Sequence, residues 1–193
     1  MKELVFATNN AHKLRELREL AGNKFRILSL KDIGCEEDIP ETAETLKGNS
    51  FIKANYIKEN YGYDCFADDT GLEIEALNGE PGVYSARYAG DECNSERNID
   101  KVLEKLSGKE NRLARFVTVI TLIYDGNTYI FEGEVKGEIM TERQGNGGFG
   151  YDSIFKPVES YCSFAEMKPE EKNAISHRGR AVAKLFDFLK NQI

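Results

Sequence analysis

Two adjacent carboxylates stand at the centre of the chemistry this chain can do. Asp68 and Asp69 follow the short apolar run Cys65-Phe66-Ala67 and precede Thr70-Gly71, after which Leu72-Glu73-Ile74 alternates apolar and acidic. Desolvating one carboxylate is expensive, and desolvating two like charges is worse, unless a cation or strong donors meet them. The pair therefore faces water in a turn, which is ordinary Asp-x-Gly chemistry, or it faces a metal. Glu41, with Glu44 and Glu73 as further candidates, extends the carboxylate set. A donor set stands against it: Lys13, Lys53, Lys172, His177 and Arg178, with the Thr8 hydroxyl and a glycine-rich loop at 144–152. A hard divalent cation carrying a polyphosphate needs both sets. Carboxylates hold Mg²⁺, which keeps several waters and also binds phosphate oxygens. Lysine and arginine neutralise the phosphate chain. A carboxylate beside the attacking water can accept its proton.

The elements that must position these groups follow from the pattern. Leu4 to Ala7 reads as a buried strand entering the polar turn Thr8-Asn9-Asn10. Leu14, Leu17 and Leu20 then recur at helical spacing from Ala11 to Ala21, with Gly22 as the stop. Strand, short loop and helix start together present backbone N–H groups to an anion. Lys13 in that first turn opposes the helix dipole, which hints at function; a solvated lysine is the plain alternative. Phe25 to Leu30 predicts a second strand, and Asp32 to Pro40 a loop. A long helix is predicted from Pro40-Glu41 to about Asn60, capped by Thr42 or Thr45. On it Glu41, Thr45, Asn49 and Lys53 would form one polar stripe.

Cys65 to Ala67 and Leu72 to Ala76 read as two short strands flanking an Asp-Asp-Thr-Gly turn. Val83 to Gly90 is too apolar for a free surface loop and is expected packed. Asn94 or Ser95 caps a helix through Leu106. Ala114–Tyr124 and Thr128–Met140 are the clearest strands, joined as a hairpin at Asp125-Gly126-Asn127. Gly133 and Gly137 predict bulges or close packing. In the glycine-rich loop, Phe149 either stacks on a planar base or plugs the core. Tyr151 to Phe155 reads as a short strand, Ser163-Phe164-Ala165-Glu166 as a capping box, and Glu170 to Ala174 as a short helix opened by Pro169. Ser176 caps a last helix whose start carries His177, Arg178 and Arg180. The fold class is α/β with a mixed sheet.

Composition sets the outer bounds. The chain has 193 residues, 40% apolar and 31% charged, with a formal net charge of −7. That suits one globular domain, or two tightly joined lobes. It argues against a nucleic-acid polymer or an anionic membrane as partner, since both need a basic face. Four scattered cysteines without metal spacing imply reduced thiols and a cytoplasmic address. The run Met1 to Ala7 is too short for a signal peptide, and no stretch has transmembrane length.

Six ordered blocks carry a resemblance. They are Thr8-Asn9-Asn10-Ala11-His12-Lys13, Glu41-Thr42 through Asn49 and Lys53-Ala54, Ala67 to Leu72, Pro81 to Tyr88, Gly147 to Asp152, and Lys172 to Gly179. In order and spacing, over essentially the whole chain, they resemble the inosine triphosphate pyrophosphatase family, which hydrolyses dITP, ITP and XTP to the monophosphate and pyrophosphate. The resemblance implies that Thr8, Asn9, Asn10, Ala11, His12 and Lys13 cradle the phosphates. It implies that Glu41 and Asp69 serve a magnesium ion, with Asp68 as an additional candidate, and that Asp69 accepts the proton of the attacking water. Lys53 and Thr70 bind substrate. Phe149, Gly150, Tyr151, Asp152 and Lys172 form the nucleotide pocket, with His177 and Arg178 near the purine edge. The implied fold is an elongated mixed sheet with helices in two lobes, residues 1–193 acting as one domain with the nucleotide in the cleft, as a homodimer. Three positions depart from the family's habit: Asn9 for glycine, Thr70 for serine, and Gly48 where an acid is common. Two rival readings are a non-catalytic nucleotide sensor and a related pyrophosphatase acting on other modified triphosphates.

Overall fold

The structure, a computed structural model, describes residues 2–21 and 25–192. Gly22, the expected stop of the first helix, lies outside the described residues. Among the described residues, seven strands form one mixed sheet in the order β2-β1-β3-β5-β6-β7, with β4 paired to β3. The strands are β1 (Lys2–Phe6), β2 (Phe25–Leu28), β3 (Cys65–Ile74), β4 (Pro81–Gly82), β5 (Leu113–Tyr124), β6 (Asn127–Ile139) and β7 (Phe155–Pro157). The helices are α1 (Ala11–Ala21), α2 (Leu46–Tyr61), α3 (Ser95–Lys105), α4 (Pro169–Ile175) and α5 (His177–Lys190). β1 runs parallel to β2 and β3, whereas β3–β4 and β6–β7 are antiparallel. Among the described residues no helix is long and apolar enough to cross a membrane.

The chain divides into two units. The first holds 1–69, 118–133 and 179–193; the second holds 70–117 and 134–178. In the first, two apolar layers form. Leu4, Phe6, Phe66, Ile120 and Leu122 pack with Leu17 of α1 and with Ala181, Val182, Leu185, Phe186 and Leu189 of α5. Val5, Ala7, Cys65 and Ala67 pack instead with Ala54 and Ile57 of α2. Alternate residues of β1 and β3 thus feed opposite faces, as a pleated strand requires. The second unit has its own core, where Leu72, Ile74, Ile99, Val102, Phe116, Val135, Phe155 and Phe164 meet.

Most expected elements are present, and the differences have local causes. β5 and β6 join through the two-residue turn Asp125-Gly126, both at positive φ (48° and 75°), the backbone a tight hairpin needs. α2 starts at Leu46 rather than near Pro40, because Thr45 takes the cap by accepting the Gly48 N–H. Glu41 is therefore not on the helix. Tyr151 to Phe155 is not a strand: Asp152–Ile154 forms a 3₁₀ turn, and pairing begins only at Phe155. Val83 to Gly90 is packed as expected, with the buried Ser85 hydroxyl accepting the Leu72 N–H at 2.9 Å.

Gly137 shows the close packing expected of it. A Cβ there would lie 2.4 Å from the Lys156 carbonyl oxygen and 2.6 Å from Phe155 Cζ. Gly137→Ala should therefore lower the unfolding free energy by about 1–3 kcal/mol through overpacking of the β6–β7 pair. Urea unfolding at an unchanged midpoint would show that the two strands do not pack as described.

Candidate active site

The central correction concerns β3. Asp68-Asp69-Thr70-Gly71 is not a turn between two short strands; it is the middle of one ten-residue strand, Cys65–Ile74. Turn chemistry is a local preference, and here donors from distant elements overrule it. Asp68 is 1% exposed and Asp69 6% exposed. Both oxygens of Asp68 stand 3.1 Å from Lys13 Nζ. Asp69 Oδ2 accepts from Asn49 Nδ2 at 3.1 Å. Because neighbours in a strand point oppositely, Asp68 meets α1 on one face and Asp69 meets α2 on the other. The misfit of a lysine in the first turn of α1 is thereby explained: Lys13 answers Asp68, not the helix.

Lys53 of α2 is the second ammonium. Its Nζ donates to Glu41 Oε1 at 2.8 Å and to the Asp68 carbonyl oxygen at 2.6 Å. Burial works against its charge, but Asp68, Glu41 and Asp69 outweigh that and hold its pKa above the ordinary lysine value. Glu41 reaches Lys53 from the extended segment before α2, so the two meet by chain path rather than as a helical stripe. Asp69 moves the other way. Burial pushes its carboxyl from 3.8 up to about 6, aided by the Glu41 charge and opposed by Lys53, Lys13 and Asn49. A buried carboxyl beside a second carboxylate, flanked by two ammonium groups, forms a ligand set that suits a hard divalent cation and a phosphate chain together. No group of three or more His, Cys, Asp or Glu ligands is assembled among the described residues. The carboxylates Glu41 and Asp69 fit a cation that draws its remaining oxygens from water and phosphate.

The Thr8–Lys13 turn is built differently from a simple amide cradle. Asn10 Oδ1 accepts the N–H of His12 (3.0 Å) and of Lys13 (3.2 Å), and the Thr8 hydroxyl accepts the Asn10 N–H at 3.1 Å. The side chains of Thr8 and Asn10 thus cap α1 from outside, which fixes Ala11 and the Lys13 stem. Asn9 Nδ2 donates to Asp38 at 3.2 Å.

The second unit gathers the other expected residues. Asp152 Oδ2 accepts from Lys172 Nζ at 2.8 Å and from the Phe149 N–H at 2.9 Å, and the Asp152 and Lys172 side chains are both buried. Phe149 is half-buried and lies outside the unit's apolar core. Lys172 Nζ and Arg178 Cζ lie 4.7 and 5.4 Å from its ring centroid, within cation–π range. The core-plug alternative is thus not what the structure shows. Arg178 Nη2 also donates to Thr70 Oγ1 at 3.3 Å. The His177 ring stacks on Phe116 at 4.6 Å and 15°, which sets its plane. Tyr151 is buried, its hydroxyl donating to the Ser85 carbonyl at 2.6 Å, and burial pushes its pKa up. Gly148 sits at φ +67°, and a Cβ there would fall 2.1 Å from Asp152 Oδ2. Neighbouring Gly147 donates its N–H to the Ala165 carbonyl at 2.9 Å, and Gly150 is at φ +60°. The loop is therefore seated on the turn at Ser163–Glu166, whose box is closed by Glu166 accepting the Ser163 N–H at 2.8 Å.

The model of the Ham1 family matches residues 4–188. The chain belongs to the Ham1 family. Among similar proteins, the dITP/XTP pyrophosphatase of Flavobacterium johnsoniae is 55% identical over 97% of both chains. That of Porphyromonas gingivalis is 55% identical over 98% of both. The Ham1 protein of Staphylococcus aureus superposes with a TM-score of 0.90 at 38% identity over all of both chains. The HAM1 protein of Coxiella burnetii gives 0.91 at 40% identity, covering 99% of this chain and 100% of that one. The family read from six ordered blocks is thus borne out over the whole length.

One residue was noticed in sequence without receiving a role. Asn49 is fully buried and touches Asp69 directly. Its signal is an asparagine within the predicted helix 40–60, a residue of poor helix propensity.

The raised Asp69 pKa carries a stability consequence. The folded protein holds this proton more tightly than the unfolded chain, so the contribution is full below pH 3.8 and lost as pH rises through about 6. The gap corresponds to about 3 kcal/mol against the folded state at neutral pH. Without divalent cations, Asp69→Asn should therefore melt higher than the parent at neutral pH, and the difference should shrink on titration toward pH 4. A variant that is less stable at neutral pH would sink this account of the burial penalty.

Proposed function

We propose that this chain hydrolyses the non-standard purine nucleoside triphosphates dITP, ITP and XTP to the monophosphate and pyrophosphate, with magnesium, and so cleanses the nucleotide pool. The observation that carries the reading is Asp69: a buried carboxyl with its pKa near 6, beside Glu41 and two ammonium groups, in a chain whose full-length relatives are named for this activity. The chain's two residue sets match the two ends of such a substrate. Lys13, Lys53, Glu41 and Asp69 suit the phosphates; Phe149, Lys172, His177 and Arg178 suit the base. Asp69 is the last residue of the first unit's segment, and Thr70, which accepts from Arg178, begins the second unit.

In the reaction, water attacks the α-phosphorus. A water O–Pα bond forms, the bond from Pα to the oxygen bridging to Pβ breaks, and pyrophosphate leaves. Asp69 accepts the proton of the attacking water, and a pKa near 6 suits a base working near neutrality. Lys13 and Lys53 offset charge on the phosphate chain. Glu41 and Asp69 would hold the magnesium, which when bound supplies polarisation of the phosphate oxygens and charge neutralisation. Thr70 contacts the substrate, and Phe149 stacks on the purine. His177 and Arg178 donate to the 6-oxo group of hypoxanthine or xanthine, where adenine's amine would meet like donors. The protein acts in the cytoplasm as a homodimer over residues 1–193, which light scattering and cell fractionation check.

A panel of nucleoside triphosphates assayed for pyrophosphate separates this reading from its rivals. With magnesium, kcat/KM for ITP should exceed that for ATP by at least about 100-fold. Asp69→Asn should lower turnover by about 10²–10⁴-fold with the fold intact. A sensor would release no pyrophosphate from any member, and a pyrophosphatase of another class would favour a different base. Equal use of ATP and ITP would remove the selectivity argument.

A further inference from the structure

Asn49 is wholly buried in α2, and both ends of its amide are spoken for. Its Oδ1 accepts the Ala43 N–H at 2.9 Å, and its Nδ2 donates to Asp69 Oδ2 at 3.1 Å. A backbone N–H can only donate, so the first bond fixes which end of the amide faces Asp69. Ala43 belongs to the extended segment that carries Glu41, two residues earlier. That segment approaches α2 closely enough that a Cβ on Gly48 would lie 2.6 Å from Ala43 Cβ. The amide therefore links the Glu41 segment to β3 through one rigid side chain.

We infer that Asn49 is a positioning residue of the site: through its Nδ2 it fixes the rotation of the Asp69 carboxylate, and through its Oδ1 it locks that orientation to the segment bearing Glu41. This rests on the reading of Asp69 as proton acceptor. A carboxylate without such a bond can rotate about its last torsion, which has a broad preference. Pinning Oδ2 decides where the other oxygen's lone pairs point. A misplacement of about 1 Å at a reacting group can lower turnover by about 100-fold. The competing explanation is that Asn49 only anchors the loop, with the Asp69 bond incidental.

The two arms can be separated. Asn49→Asp keeps an acceptor for the Ala43 N–H but sets an oxygen against Asp69, and Asn49→Leu removes both bonds. Both variants are assayed with ITP over a pH series, so that a proton shared between adjacent carboxyls shows as a displaced profile and not as a lowered plateau. Amide exchange at Ala43 is followed in the metal-free proteins. For Asn49→Asp the expected result is a kcat lower by about 10- to 100-fold, KM within about threefold, and Ala43 still protected. Retention of kcat within about twofold would reduce Asn49 to a loop anchor. If Asn49→Asp does not fold, Asn49→Leu is read beside Ala43→Pro, which removes only the bond to the Glu41 segment: kcat lost in Asn49→Leu but kept in Ala43→Pro supports the inference, and equal kcat in the two overturns it. Asp69→Asn runs alongside. Full turnover by that variant overturns both the inference and the reading beneath it, whereas an inactive Asp69→Asn with an active Asn49→Asp overturns the inference alone.

Discussion

Two like charges buried side by side on one strand are the constraint from which the first unit follows. A buried carboxylate left without partners costs several kcal/mol, so Asp68 and Asp69 can remain in β3 only if other elements come to them. They come from both faces. α1 delivers Lys13 to Asp68, and α2 delivers Asn49 to Asp69 and Lys53 to the backbone between them. The positions of both helices are thus tied to the chemistry as much as to the apolar layers beneath them. The same burial that makes Asp69 expensive to ionise raises its affinity for a proton, so stability and basicity are set here by one quantity.

The second unit solves a different problem, that of holding an aromatic ring at a surface. Phe149 is kept there by the carboxylate of Asp152, which fixes its backbone N–H, and by the cations of Lys172 and Arg178 near its face. The glycines around it allow the chain to press against Asp152 and the Ala165 carbonyl where any side chain would collide. This loop is held by a buried ion pair and close backbone contact, not by regular structure.

What the sequence made legible was mostly local. α1, the β5–β6 hairpin and the final helix were readable because their signals lie within a few residues: a leucine period, an Asp-Gly turn, a serine cap. The donor and acceptor sets were also readable, since charged residues at poor helical positions advertise a remote partner. β3 was misread because its turn-like Asp-Asp-Thr-Gly is held straight by Lys13, 55 positions away, and by Asn49, 20 positions away. No window of neighbouring residues contains that information. Glu41 was paired with the right lysine by the wrong route, because Thr45 rather than Thr42 caps α2 and leaves the acid on extended chain. Asn49 was visible as a member of a polar stripe, but its partner was not.

The continuity of β3 has a consequence for how this chain can vary. A strand alternates its faces with a period of two, so one residue inserted or lost between Cys65 and Asp68 would turn each residue beyond the change to the opposite side. Asp69 would then look toward Lys13 and Asp68 toward Asn49, a swap of partners that keeps the composition of the site and destroys its assignment. Drift in length is therefore closed to this segment, while substitutions that respect parity remain open. The ten residues of β3 act as a ruler on which Asp68 and Asp69 are told apart by whether a position is odd or even.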